Sequence, residues 1–253
     1  MTADPFRLDG QRALVTGART GIGRAAALAL AAAGADLVLW GRDIEGLEPV
    51  AEQIRALGRE CGTVAGDLTD PDEVEVTATA LAAEQRIDLL VNNAGIISRG
   101  AAVGISLSDW RRVLRVDLDS AFVLARCFGA RMLERRAGRI VNIASLLSFQ
   151  GGVNVASYTA SKHALAGLTK SLATEWASAG VGVNAIAPGY IVTDNTAALR
   201  ADPARDRAIT ERIPAGRWGS PADIAGAVVF LCSPAAAYLH GHVLVVDGGW
   251  LAR

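Results

Sequence analysis

The sequence predicts an α/β fold, a single-domain doubly wound parallel sheet, and three observations carry that expectation. Short apolar, β-branched runs alternate with longer segments of helical period along the whole chain. The runs lack polar alternation, as strands do when both faces of a sheet are covered. No Pro/Gly/Ser-rich linker, charge block or repeat divides the 253 residues, a length that suits one large α/β domain.

The first strand is expected at Ala13–Thr16, and it runs into Thr16-Gly-Ala-Arg-Thr-Gly-Ile-Gly23 ahead of a helix over 21–33. Glycines at this strand-to-helix turn let the backbone approach a pyrophosphate at the helix N-terminus, where free N–H groups and the dipole favour negative charge. Gly17, Arg19, Thr20, Gly21, Ile22 and Gly23 are therefore candidate dinucleotide-binding residues, and the sheet is of Rossmann type. The second strand, Leu37–Trp40, ends on Gly41-Arg42 ahead of a helix over 44–57. An NAD site places a carboxylate at that end to hold the ribose hydroxyls. Here Arg42, with Arg19 nearby, offers guanidinium groups to a 2′-phosphate, so NADP is the preferred cofactor. NAD stays open as the alternative, because a shifted turn would bring Asp43 to the ribose.

The third strand, Thr63–Ala65, is followed by Asp67 and Leu68, where the carboxylate would accept from an adenine amino group, and then by a helix over 71–85. The fourth, Leu89–Val91, leads into Asn92-Asn-Ala-Gly95, whose Asn93, Ala94 and Gly95 would let the cofactor lie against the backbone. A long helical pattern over 109–135 separates it from the fifth strand, Ile140–Ile143, which Ser145 closes. Tyr158 and Lys162 follow on a helix over 157–179, at i and i+4 on one face. A nearby ammonium favours the phenolate, which would lower the Tyr158 pKa from ~10 and suit it to proton exchange with a hydroxyl or carbonyl. Ser145 would position the same oxygen and Lys162 would also hold the nicotinamide ribose; hydride passes directly to carbon, so no metal is required.

The sixth strand, Val183–Ile186, precedes Pro188 and Gly189, with Ile191 and Thr193 placed to meet the carboxamide or a phosphate. The polar, charge-rich stretch 190–218 then overhangs the carboxyl edge of the sheet and is the expected small substrate lid. A helix over 221–232 and a seventh strand, Val243–Val246, complete the alternation.

Taken together, T-G-A-R-T-G-I-G, N-N-A-G, Ser145 with Y-T-A-S-K, and P-G-Y-I-V-T resemble the short-chain dehydrogenase/reductase family over essentially the whole chain. The resemblance implies alcohol–ketone interconversion with NAD(P), a homotetramer, and a fourth catalytic member in the helix after N-N-A-G. That member is an Asn in the family, where it distorts the helix and supports a water in a proton relay to the Lys. Here the position is Asp117, a carboxylate that would change the electrostatics around Tyr158. A finer resemblance, carried by Asn142–Gly152, Ala187–Tyr190, Arg212–Trp218 and Val246–Arg253, points to the branch acting on gluconate or 3-deoxy-ketogluconate-type sugar acids. Its Arg-Arg pair after N-N-A-G is Ser98-Arg99 here, and its Arg before the catalytic Tyr is Asn154. Arg99 is the candidate carboxylate anchor, with Gln150 and Asn154 as hydroxyl partners and Ser145 and Tyr158 at the reacting carbon. Trp250, in the terminal D-G-G-W-L-A-R, is a candidate interface anchor or a packing residue.

Two other readings stand beside this one: reduction of another carbonyl such as a 3-ketoacyl thioester, and a catalytically silent cofactor-binding protein. A net charge of −1 offers no attraction to nucleic acid or to an anionic membrane. The start of the chain lacks the basic and apolar pattern of a signal peptide, and Cys61, Cys127 and Cys232 form no disulfide or metal pattern. They read as small buried residues of a cytoplasmic protein.

Overall fold

Alternate residues of the first two strands point to opposite faces of the sheet, and each face has its own core. Ala13 and Val15 of β1 (Arg12–Thr16) and Leu37 and Leu39 of β2 (Asp36–Gly41) pack with α1 (Gly21–Ala32), α2 (Glu48–Ala56) and α9 (Pro221–Cys232). Leu14, Val38 and Trp40 pack on the other side with α3 (Pro71–Glu84), α5 (Ser120–Arg135) and α6 (Ala156–Trp176). Burial of both faces is what removes polar alternation from these strands. The structure, a computed structural model, describes residues 4–253; Met1–Ala3, part of the N-terminal stretch read above for a leader, lie outside the described residues.

The remaining strands are β3 (Cys61–Ala65), β4 (Leu89–Asn92), β5 (Gly138–Ile143), β6 (Val181–Pro188) and β7 (Val243–Val246). All seven pair in parallel in the order β3-β2-β1-β4-β5-β6-β7. The order reverses between β1 and β4, and a crevice opens there at the carboxyl ends of the strands. Expected and observed strands agree within two residues at every end. Among the described residues three α-helices have Pro as their first residue: α3 after Asp70, α8 (Pro203–Arg212) after Asp202, and α9 after Ser220. Asp70 and Asp202 accept from first-turn N–H groups, and at α9 the Asp223 carboxylate accepts from the N–H and the hydroxyl of Ser220, so these residues are suited to a helix start.

Three details differ from the sequence expectation. The single helical pattern over 109–135 is two helices, α4 (Leu107–Leu114) and α5, joined by a π-turn at Arg115–Asp119 that contains Asp117. The 190–218 stretch, expected as a polar lid insertion with no elements assigned inside it, holds α7 (Ala197–Arg200) and α8; its ends close on each other where Val192 N–H donates to Gly219 O and Gly219 N–H to Tyr190 O. Helix α8 buries only Ile209, so it carries almost no apolar period to read. Of the cysteines only Cys232 is fully buried, and all three are free. Among the described residues no helix is long and apolar enough to cross a membrane.

Candidate active site

A cleft of about 1050 Å³ runs along the carboxyl edge of the sheet, from the turn after β2 to helices α7 and α8. Its cofactor end is built on close backbone approach. Gly17 has φ +64°, and a Cβ there would stand 3.0 Å from Ala94 Cα and from Asn93 Nδ2. Gly23 is tighter still: a Cβ would meet Gly17 O at 2.3 Å and Asn93 Nδ2 at 2.4 Å. The Asn93 amide donates to Thr16 O (2.9 Å) and Gly17 O (3.2 Å), while Thr16 Oγ1 accepts from the N–H groups of Asn93 and Ala94 (3.0 Å each). These bonds knit the ends of β1 and β4 into one rigid floor. Helix α1 begins after Thr20 without a side-chain cap, because the Thr20 hydroxyl donates instead to Asp194 Oδ2 (3.2 Å). Uncapped N–H groups over a glycine cradle fit a pyrophosphate, so the residues present suit a nicotinamide dinucleotide.

Gly17, Arg19, Thr20, Gly21, Ile22, Arg42, Asp67, Leu68, Asn93, Ala94, Gly95, Pro188, Gly189, Ile191 and Thr193 all line the cleft, as their positions at strand ends predict. Gly23 does not. It sits behind the loop, where its lack of a side chain lets α1 approach β4, so its part is packing and not contact. Strand β2 extends through Gly41, and Asp43, although in the cleft wall, turns its Oδ1 back to accept from Gly46 N–H (2.6 Å). Arg19 and Arg42 are in the same wall.

At the chemical end Ser145, Tyr158 and Lys162 share the cleft wall. Ser145 lies two residues beyond β5 instead of closing it, and its Oγ accepts from Leu147 N–H (3.1 Å), which aims the hydroxyl proton elsewhere. Lys162 is buried; Nζ donates to Ile143 O (2.9 Å) and stands 5.4 Å from the centre of the Tyr158 ring. Asp117 lies behind the cleft, 1% exposed. Its Oδ1 accepts from Ile96 N–H (2.8 Å) and its Oδ2 is 3.6 Å from Lys162 Nζ. Burial pushes the Asp117 carboxyl up, against the pull of Lys162 and of its hydrogen bonds. Tyr158 differs from the sequence expectation of a lowered pKa. Burial raises its phenol above the ordinary value; Lys162 opposes that, Asp117 adds to it, and the neighbouring Ser145 and Arg99 lower it.

Of the candidate substrate residues, Arg99 and Gln150 line the cleft and Asn154 does not. Asn154 is exposed with φ +62°, and its carbonyl accepts from Gly100 N–H (2.9 Å), so it shapes a turn beside the site. Arg99 Nη2 donates to Asn195 O (3.2 Å) in the 190–218 segment. Sequence reasoning missed Arg205, Arg212 and Tyr190, which also line the cleft. The Arg212 guanidinium lies 3.9 Å from the Trp250 ring centre, and Tyr190 packs on the same indole with ring centres 4.7 Å apart. Trp250 is itself 4% exposed and reaches Gln150 Oε1 through Nε1 (3.4 Å), so it is a wall of the site and not an outward anchor. Its only sequence signal was an aromatic in an otherwise small-residue tail.

A family model described as enoyl-(acyl carrier protein) reductase matches residues 17–251. The 2-dehydro-3-deoxy-D-gluconate 5-dehydrogenase of Bacillus subtilis (strain 168) is 51% identical over 250 residues, 99% of this chain and 98% of that one. A solved structure from Beutenbergia cavernae, described as a candidate NAD(P)-dependent gluconate 5-dehydrogenase with NADP at low occupancy, is 58% identical, covers 99% of this chain and 100% of that one, and superposes with a TM-score of 0.97. The gluconate 5-dehydrogenase of Burkholderia cenocepacia J2315, solved with NADP and tartrate, is 38% identical with a TM-score of 0.95, over 99% and 98% of the two chains. Sheet order, motif placement and these matches agree: the chain belongs to the short-chain dehydrogenase/reductase family of NAD(P)-dependent oxidoreductases.

Proposed function

We propose that the protein interconverts a secondary alcohol and a ketone on a six-carbon sugar acid of gluconate or 3-deoxy-ketogluconate type, with NADP as the preferred cofactor. The observation that carries the substrate class is cationic. Arg99, Arg205 and Arg212 line the cleft that holds Tyr158, and none of the three is ion-paired among the described residues. Unpaired guanidinium groups in the same cleft as Tyr158, with Arg99 close enough to act on its phenol, suit a substrate that brings its own carboxylate. The relatives' names point the same way.

When bound, the nicotinamide cofactor supplies or accepts the hydride. Tyr158 exchanges a proton with the reacting oxygen, and Ser145 donates its hydroxyl proton to the same oxygen, since its lone pair is already held by Leu147 N–H. Lys162 holds positive charge beneath the ring and, from the cleft wall, offers donors to the nicotinamide ribose. Arg19 and Arg42 would hold the 2′-phosphate, and Asp43, whose Oδ1 accepts from Gly46 N–H, is occupied within its own turn. The 190–218 segment acts as the substrate lid, tied to the cofactor loop through Thr20–Asp194 and to the opposite wall through Arg99–Asn195.

The protein works as a homotetramer in the cytoplasm, where the soluble cofactor pool lies. Leu107 of α4 and Phe122 of α5 stay exposed, apolar area that a partner subunit would cover. Light scattering on a sizing column reads the assembly directly, and a monomeric mass removes that part of the proposal. The substrate is tested by following nicotinamide absorbance with gluconate, 3-deoxy-ketoaldonates, neutral hexitols and 3-ketoacyl thioesters, each with NADP and NAD. Sugar acids are expected to lead in kcat/KM. Faster turnover of a thioester or a neutral polyol would assign the cleft to another substrate.

A further inference from the structure

From the buried contacts around Lys162 we infer that Asp117 is a positioning residue whose carboxylate offsets the ammonium charge and keeps Tyr158 a proton donor at neutral pH. It rests on reading Tyr158 as the acid–base group. The geometry is a closed cluster beneath the cleft. The π-turn at 115–119 presents Asp117 inward between the loop after β4 and helix α6. The loop contributes Ile96 N–H to Oδ1 at 2.8 Å, and α6 contributes Lys162 to Oδ2 at 3.6 Å. The Ser161 hydroxyl stands 3.4 Å from Oδ2 and 2.8 Å from Tyr158 O, so the carboxylate also touches the turn that carries the tyrosine. A Cβ on Gly95 would stand 3.5 Å from both carboxylate oxygens and from Nζ, so Gly95 roofs the pair from the cleft side.

Lys162 is the one charged side chain that acts on Asp117 among the described residues; Arg99, on the loop after β4, acts on Tyr158 instead. Arg112 of α4 lines the cleft, and Arg115 of the π-turn acts on Asp119. A carboxylate this close to the ammonium makes the pair nearly neutral as seen from Tyr158, and the low dielectric leaves little solvent to screen either charge. Burial favours the phenol; Lys162 pulls toward the phenolate, and Asp117 behind it offsets part of that pull. A protonated Tyr158 is the form that gives a proton to a carbonyl oxygen as hydride arrives at carbon. Alcohol oxidation needs the phenolate, so its rate should climb with pH.

The test compares wild type with Asp117→Asn, nearly isosteric and uncharged, by the pH dependence of kcat/KM for alcohol oxidation. The acid limb is expected to move about one pH unit lower, so that well below the midpoint about tenfold more enzyme is competent at a given pH. Asp117→Ala, which loses the charge and the hydrogen bonds, should move the limb in the same direction. A residue that only holds the helix would lower kcat without moving the midpoint. A readout free of turnover is phenolate absorbance between pH 7 and 10 against a Tyr158→Phe blank, practicable because the chain has three tyrosines. An unmoved or raised midpoint in the variants overturns the inference. Activity persisting in Tyr158→Phe would instead overturn the acid–base reading, while the absorbance titration would still report the coupling.

Discussion

At Lys162 two oxygens, Ile143 O and Asp117 Oδ2, hold one buried ammonium, and the consequences for single residues follow from that competition. Tyr158→Phe removes the proton exchanged with substrate and should lower kcat by about 10²–10⁴-fold while NADP affinity, measured by fluorescence titration, stays within a few-fold. Asp117 also has a stability signature. Its folded-state pKa is raised, so below the unfolded value both states are protonated and it imposes no penalty; as pH rises through the folded pKa the full cost of burying the anion appears. The stability difference between wild type and Asp117→Asn should therefore move in favour of wild type as pH falls toward ~4, read by urea unfolding across pH. A difference that is flat with pH would mean the carboxyl does not titrate differently on folding. At the other end of the cleft, Arg42→Ala should raise the KM for NADP at least tenfold and leave that for NAD nearly unchanged, since only the former carries the phosphate the guanidinium would meet.

The elements were legible to different degrees, for reasons that can be named. Strands buried on both faces write themselves as apolar runs, which is why β6, all eight residues of it buried, and β4 stood out. Helix starts were legible at Asp70-Pro71 and Ser220-Pro221, where an apolar period follows, but not at Asp202-Pro203, where it does not; the contribution is measurable, since Asp70→Ala removes the acceptor for the N–H groups of Asp72 and Glu73 and should cost about 1 kcal/mol in urea unfolding. The π-turn between α4 and α5 was not legible in the apolar period, because one extra residue in a turn leaves that period nearly intact; only the family resemblance pointed to a distortion at position 117. Lid helices α7 and α8 were missed because they bury so little. Gly23 shows how an element's packing and its ligand contacts part company: Gly23→Ala places a methyl within 2.3 Å of Gly17 O, and should destabilise the fold by about 1–3 kcal/mol as well as weaken cofactor binding.

For the whole molecule, cofactor binding and folding are linked, because the glycine cradle, Asn93 and the α1 N-terminus assemble only when β1 and β4 lie side by side. NADP at about 100 times its Kd should stabilise the protein by about 2.7 kcal/mol, and NAD at the same concentration by less, both read as a rise in Tm. An equal rise with both cofactors would contradict the preference drawn from Arg19 and Arg42. By itself the sequence determined the parallel sheet, the strand-end positions of the cofactor residues and the Ser145, Tyr158 and Lys162 set, because period, glycine placement and i,i+4 spacing are local properties. Only the tertiary structure decided that Asp117 faces Lys162, that Trp250 closes the site over Gln150, that Arg212 lies on that indole, and that Asn154 stays outside. Those contacts join residues 38 to 100 positions apart, as Arg212 and Trp250 or Gln150 and Trp250 do, and such pairings are set by how the chain folds over its own sheet edge, which no local spacing encodes.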